Sequence, residues 1–154
     1  MYEFRVNDEI YKVKFGYGVL YKTDLIDRVI NAGRGVTENP ADALRNIIGL
    51  TAELLLAGLQ KKHKDEFGYD GETEKEEMIL KVCDLIDDYE DEHTDADGNR
   101  DKNGYTLFNE LQAELEKNGF LSAMSKVGQE AAAKQDATVI PLDHKKKSKA
   151  GANK

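Results

Sequence analysis

The sequence is poor in the residues that build disulfide frameworks and metal centres. Its single cysteine, Cys83, excludes an internal disulfide and a cysteine-rich zinc site. The three histidines, His63, His93 and His144, lie in separate polar segments, and no two of them fall at the spacing that places zinc ligands on one helical face. We therefore expect no structural disulfide, no metal and no cofactor, and a reducing compartment.

Long apolar runs are also missing. The longest run, Leu54–Leu59, falls far short of the roughly 20 residues that cross a bilayer. Met1–Arg5 is not followed by the apolar stretch that a signal peptide needs. Hydrophobic residues make up 40% and charged residues 34% of the 154-residue chain, as in a soluble single domain. The sequence thus predicts a cytoplasmic protein without a membrane segment.

No set of residues indicates catalysis. The scattered histidines give no reason for a Ser/His/Asp or Cys/His arrangement to form. Gly16-Tyr17-Gly18 lacks the glycine spacing and the lysine of a phosphate-binding loop, and a tight turn explains it better. The many carboxylates between residues 84 and 101 are typical of a solvated acidic face. We predict a protein that is not an enzyme and has no catalytic residues.

The net charge of −8 is unevenly distributed along the chain. Residues 141–154 hold five lysines and one aspartate, so they carry +4 and the rest of the chain carries −12. A body this acidic repels phosphate backbones, and the basic end is too short and irregular to bind nucleic acid by itself. No nucleic-acid partner is expected.

Two short alternating runs open the chain. Tyr2, Phe4 and Val6 alternate with polar residues, and a second run follows from Ile10 to Phe15 after Asn7-Asp8-Glu9. Alternation on both sides of such a turn predicts a β-hairpin. A lone hairpin is marginal in water, so it must pack on helices.

Four helical patterns follow the hairpin. The first runs from about Val19 to Asn31, and the second begins with Asn39 as cap and Pro40 at the first helical position. The apolar stripe of this second helix, which we predict to be the central core helix, comprises Leu44, Ile47, Ile48, Thr51, Leu54 and Leu55. The third helix carries on its apolar face Met78, Ile79, Val82, Leu85, Ile86 and Tyr89. The fourth begins near Leu107 and ends at Asn118-Gly119.

These patterns predict an α+β fold that is predominantly α-helical, with an N-terminal β-hairpin packed on about four helices. We expect a single domain in residues 1–127. Residues 128–154 are rich in alanine, lysine and glutamine and have few large apolar groups. Such a composition favours a disordered basic C-terminal tail.

A calcium-binding loop is an alternative reading of residues 99–110. Asp101, Asn103 and Glu110 fall at ligand positions of an EF-hand loop, and Gly104 falls at its turn position. Asn99 at the first position removes an anionic ligand, and no second loop is present to form the usual pair. A polar connection between two helices explains the segment better, so calcium binding is the second choice.

Two sets of residues are candidates for contact with a partner. The first is an apolar stripe late in the chain, consisting of Leu107, Phe108, Leu111, Leu115, Phe120 and Leu121. Such a stripe either completes the core, which we favour, or binds a partner helix. The second set is five tyrosines, Tyr17, Tyr21, Tyr69, Tyr89 and Tyr105. Tyrosine suits an interface anchor, but for any one of them we favour a half-buried packing role.

Taken in order, four pieces of the chain carry a family resemblance. They are the hairpin leading into Phe15-Gly16-Tyr17-Gly18, the apolar helix around Ile47-Ile48-Gly49-Leu50, the acidic helix Leu85-Ile86-Asp87-Asp88-Tyr89, and the ending from Leu107-Phe108 to Phe120-Leu121. Over residues 2–124 this order resembles the tail assembly chaperones of long-tailed phages and prophages of Gram-positive bacteria.

The resemblance implies a small, mostly helical, non-enzymatic protein of the host cell cytoplasm that is absent from the mature virion. Its implied partners are the tape measure protein, which it would keep soluble, and the tail tube protein, which it would help to recruit. Self-association is left open. Many members of the family also have a longer, frameshifted form, and Lys145-Lys146-Lys147 could be encoded by a slippery run of A.

Overall fold

A computed structural model describes residues 1–34 and 39–117, without the side chains of residues 33 and 34. Two antiparallel strands open the chain, β1 (Tyr2–Val6) and β2 (Glu9–Val13), and the pairing runs from Tyr2 opposite Val13 to Val6 opposite Glu9. Asn7 and Asp8 form the two-residue turn with φ of 55° and 64°. Asparagine and aspartate tolerate this left-handed backbone, which matches the twist of a hairpin. The predicted hairpin is confirmed.

Six helices follow within the described residues. They are α1 (Tyr17–Lys22), α2 (Leu25–Arg34), α3 (Pro40–Leu59), α4 (Lys64–Phe67), α5 (Glu72–Glu92) and α6 (Gly104–Glu116). The prediction of an α+β, mostly helical fold is confirmed.

Two features raise the number of helices above the four that the sequence predicts. Thr23, with extended backbone at φ −122° and ψ 162°, divides the first predicted helix into α1 and α2. Its hydroxyl donates to the Val19 carbonyl at 2.9 Å and so satisfies a free acceptor at the end of α1. The other feature is α4, a single turn between α3 and α5.

Helix α3 begins where the sequence predicts. The side chain of Asn39 accepts a hydrogen bond from the Ala41 N–H at 3.0 Å, and Pro40 takes the first helical position. The second half of the helix is the centre of the core, where Leu54, Leu55 and Leu59 are fully buried. Helices α2, α5 and α6 and strand β2 all pack against α3.

The hairpin lies directly on the second half of α3 at Gly58. The Lys14 N–H donates to the Gly58 carbonyl at 2.9 Å. A Cβ atom at position 58 would lie 2.3 Å from Cγ1 of Val13, so only glycine permits this approach without a shift. Next to it, the Lys12 N–H donates to Nε2 of His63 at 2.8 Å. The prediction that the hairpin packs on helices is confirmed.

Helix α5 packs on the same face of the hairpin as α3, along strand β1. The Phe4 and Tyr89 rings pack with centroids 5.2 Å apart. At the turn, the Asn7 backbone N–H donates to Glu92 at 2.6 Å and its side-chain amide donates to Asp88 at 2.8 Å. Met1–Glu116 form one compact unit. The predicted boundary at residue 127 and the predicted disorder of residues 128–154 lie outside the described residues.

Within residues 1–34 and 39–117, no helix combines the length and the apolar character that crossing a bilayer requires.

Candidate partner-binding site

The late apolar stripe lies in the core of the structure. Leu107, Phe108, Leu111 and Leu115 are all buried on α6, which packs against α3. This is the role that the sequence favours for the stripe. Partner binding through these four residues stays a prediction, and it would require α6 to leave the core. The other two members of the predicted set, Phe120 and Leu121, lie outside the described residues.

The segment 99–110 does not take the form of a calcium-binding loop. Helix α6 begins at Gly104, so the second half of the would-be loop is helical and does not wrap around an ion. The side-chain oxygen of Asn103 accepts from the N–H groups of Tyr105 and Thr106 at 2.9 and 3.0 Å, which caps α6. Glu110 accepts from the Tyr2 hydroxyl at 2.6 Å. In the described part of the chain, no three His, Cys, Asp or Glu side chains are placed to hold a metal ion.

The two possible roles of Glu110, as an acceptor from Tyr2 and as a calcium ligand, predict different results for the same substitution. Glu110→Gln should lower the melting temperature equally with and without calcium, because it weakens the hydrogen bond from the Tyr2 hydroxyl. The expected loss in the free energy of unfolding is up to about 1 kcal/mol. Calcium added to the unmodified protein should leave the melting temperature unchanged. A calcium-dependent rise that Glu110→Gln abolishes would restore the calcium reading. Differential scanning fluorimetry with and without a chelator makes the comparison.

The first half of α3 is the unexpected feature of the structure. Leu44 and Ile48, predicted as part of the core stripe, keep 62% and 56% of their surfaces exposed. That prediction is wrong for these two residues, because α5 and α6 bury α3 mainly from Leu50 onward. On the first turn of α6, Tyr105 is 64% exposed. Exposed apolar side chains that face a common space, with polar residues at its rim, are candidates for contact with a partner.

These side chains line a groove between α3, α5 and the start of α6, which we call the apolar groove. It has a volume of about 440 Å³ and is lined by Leu44, Ile47, Ile48, Thr51, Cys83, Ile86, Asp87, Glu90, Arg100, Asn103, Gly104 and Tyr105. From Leu44 to Thr51 its α3 wall spans two helical turns, or about 10 Å. Its size and apolar walls suit a few large side chains of a partner.

Glu90 holds one end of the apolar groove together. One of its carboxylate oxygens accepts from the Gly104 N–H at 2.5 Å, and the other lies 3.6 Å from Nη1 of Arg100. The carboxylate therefore satisfies an amide at the start of α6 and ties the preceding loop to α5. These bonds help to fix the wall formed by Asn103, Gly104 and Tyr105.

An acidic ridge borders the groove on the α5 side. It consists of Asp84, Asp87 and Asp91, which are spaced three and four residues apart and are all exposed. Such spacing places the three carboxylates along one side of the helix. Within the described residues, none of the three forms an ion pair. As far as the described residues go, the ridge is therefore a line of negative charge without ion pairs beside an apolar surface.

Cys83 is a natural reporter in this groove, since the chain has no other cysteine. Its side chain is half-buried between the apolar lining and the acidic ridge. Burial raises the pKa of the Cys83 thiol, and the carboxylates of Asp87 and Asp84 raise it further. Because the thiolate is the reactive form, this thiol needs a higher pH than an ordinary cysteine to be labelled.

A second cavity, of about 390 Å³, lies between α2 and α3 and is more polar. Its lining includes Arg28, Asn31 and Asn46. Arg28 already forms ion pairs with Glu53 and Asp24, so its charge is compensated within the fold. This cavity offers neither the exposed apolar side chains nor the free charge that the apolar groove has.

The five candidate tyrosines differ in exposure, and Tyr69 is half-buried. Tyr17, Tyr21 and Tyr105 are exposed, whereas Tyr89 is buried. Only Tyr105 of the five lines the apolar groove. From the sequence, Tyr105 is one of five candidate anchors, and Leu44, Ile48 and Ile86 are placed on the apolar faces of their helices. Nothing in the sequence indicates that these faces stay open.

Comparison of the chain with protein-family models, with curated proteins and with solved structures finds no match.

Proposed function

We propose that the protein is a non-enzymatic chaperone whose apolar groove binds an amphipathic helical segment of a partner. One observation carries the proposal: Leu44, Ile48 and Tyr105 are exposed around a groove of about 440 Å³ in the fold. A partner helix that places two or three large apolar side chains there would bury surface on both molecules. The groove has no arrangement of groups suited to chemistry.

The family resemblance that the order of sequence elements carries indicates which partner the groove would bind. By its resemblance to phage tail assembly chaperones, the partner is the tape measure protein, a very long helical chain that needs its apolar stripe covered until tail tube protein assembles around it. The charge of −12 outside residues 141–154 favours such a role, since it keeps the complex soluble and makes copies of the chaperone repel each other. The host cell cytoplasm is the proposed site of action.

Co-expression tests the proposal. A very long open reading frame is expected just downstream of this gene, and its product should be insoluble alone and soluble when it is made together with this protein. The two should then co-purify at a defined ratio. If the long product stays insoluble in the presence of this protein, or is equally soluble without it, the chaperone proposal is wrong.

A further inference from the structure

The acidic ridge beside the apolar groove constrains the charge of the partner, in addition to its apolar character. We infer that the occupant of the groove is an amphipathic helix with lysine or arginine along one border of its apolar stripe, the border that faces Asp84, Asp87 and Asp91. This inference deepens the proposed function and rests on it for the groove being a binding site. It names the chemistry of the bound segment.

Charge complementarity decides which kind of helix fits. Asp87 lines the groove, and helical spacing places Asp84 and Asp91 on the same side of α5. All three carboxylates are exposed and have no ion-pair partner among the described residues. A helix with acidic residues on the facing border would place like charges opposite each other, which disfavours binding. A helix with basic residues there gains attraction and a faster encounter. At the end of the groove the charge is compensated, because Arg100 pairs with Glu90 at 3.6 Å.

The length of the groove determines how many turns of a partner helix it can contact. Its α3 wall spans about 10 Å, or two turns, so it accepts apolar side chains at positions i, i+3 or i+4, and i+7 of a partner helix. The spacing from Asp84 to Asp91 is also seven residues. Two or three basic residues at the same spacing along one border of the stripe can therefore face the ridge together.

A second copy of this chain is the less favoured occupant. Each copy carries −12 outside residues 141–154, and an acidic ridge on one copy would face an acidic body on the other. If the purified protein dimerises and Ile48→Glu separates the dimer, the occupant is a second copy and the inference is wrong.

Two designed peptides of equal length and equal charge test the inference. Both are amphipathic helices with the same leucines at i, i+4 and i+7. One has three lysines along a border of the leucine stripe, and the other has three lysines on the opposite, polar face. The border-lysine peptide should bind on the order of tenfold more tightly at low salt, since three exposed ion pairs each contribute modestly. High salt should reduce the difference. Fluorescence anisotropy measures both affinities.

Two triple variants test whether the acidic ridge causes the preference for border lysines. Asp84→Asn, Asp87→Asn and Asp91→Asn together should remove the preference for border lysines. Asp8→Asn, Asp27→Asn and Asp70→Asn together change the net charge equally at other exposed positions and should leave the preference intact. Circular dichroism confirms that both variants fold. Equal binding of the two peptides, or equal effects of the two variants, would overturn the inference.

The outcome of this test is separate from that of the proposed function. If the long downstream product is solubilised while neither peptide prefers the groove, the chaperone proposal stands and the inferred chemistry of the partner is wrong. If the border-lysine peptide binds as described but the long product is not solubilised, the groove has the inferred specificity and the proposed partner is wrong.

Discussion

Gly58→Ala is expected to destabilise the fold by about 2 kcal/mol, in the range of overpacked cores, even though the same change usually strengthens a helix. The new methyl group would lie 2.3 Å from Cγ1 of Val13 and 3.4 Å from Cζ of Phe15. Val13 is fully buried and cannot move aside. The hairpin would have to lift from α3, and the bond from the Lys14 N–H to the Gly58 carbonyl would lengthen.

Gly49→Ala is the matched control, since Gly49 belongs to the same helix. A Cβ atom at position 49 meets nothing within 4 Å. This variant should therefore be more stable than the unmodified protein by roughly 0.5–1 kcal/mol, the ordinary advantage of alanine over glycine inside a helix. Urea unfolding followed by circular dichroism measures both changes. Two changes of the same sign would contradict the packing of the hairpin on α3.

Ile48→Glu is expected to weaken partner binding by about a hundredfold, because a carboxylate buried against an apolar anchor costs roughly 2–3 kcal/mol. Ile48 is more than half exposed in the free protein, so the fold should be unaffected. The matched control is Ile10→Glu on the hairpin, where the isoleucine is 46% exposed but lies away from the apolar groove.

The binding assay uses a soluble fragment of the proposed partner, a tape measure protein, and calorimetry gives the affinities of the two variants. Ile48→Glu should lose binding, and Ile10→Glu should retain it. Equal affinities would place the contact elsewhere on the protein. Loss of binding in Ile10→Glu alone would point to the hairpin as the interacting surface.

The elements that the sequence predicted well are those set by local chemistry. Asn7 and Asp8 tolerate the left-handed backbone of a hairpin turn, and Asn39-Pro40 combines a cap with a preferred first residue. Each of these signals works within a few residues. The break at Thr23 was missed although Asp24, a residue typical of helix starts, follows it, because the surrounding apolar spacing fits one continuous helix.

The apolar groove could not be predicted, because it depends on contacts between distant segments. The spacing of Leu44, Ile48 and Leu55 shows which side of α3 is apolar, and such a side is normally buried. Leu55 is covered in the fold, whereas Leu44 and Ile48 remain exposed. A pattern of apolar residues does not distinguish a surface covered by the same chain from one kept for a partner. For the same reason, the sequence alone predicts only that the acidic ridge is a solvated face of its helix.

The labelling rate of Cys83 tests the central claim most directly, because this thiol lines the apolar groove and is the only cysteine in the chain. The protein is treated with a small alkylating reagent at alkaline pH, where the thiolate forms, first alone and then saturated with the fragment of the proposed partner. If the partner helix occupies the groove, the bound protein should be labelled much more slowly than the free protein. An unchanged labelling rate in a complex that is demonstrably formed would show that the partner binds elsewhere and would contradict the account.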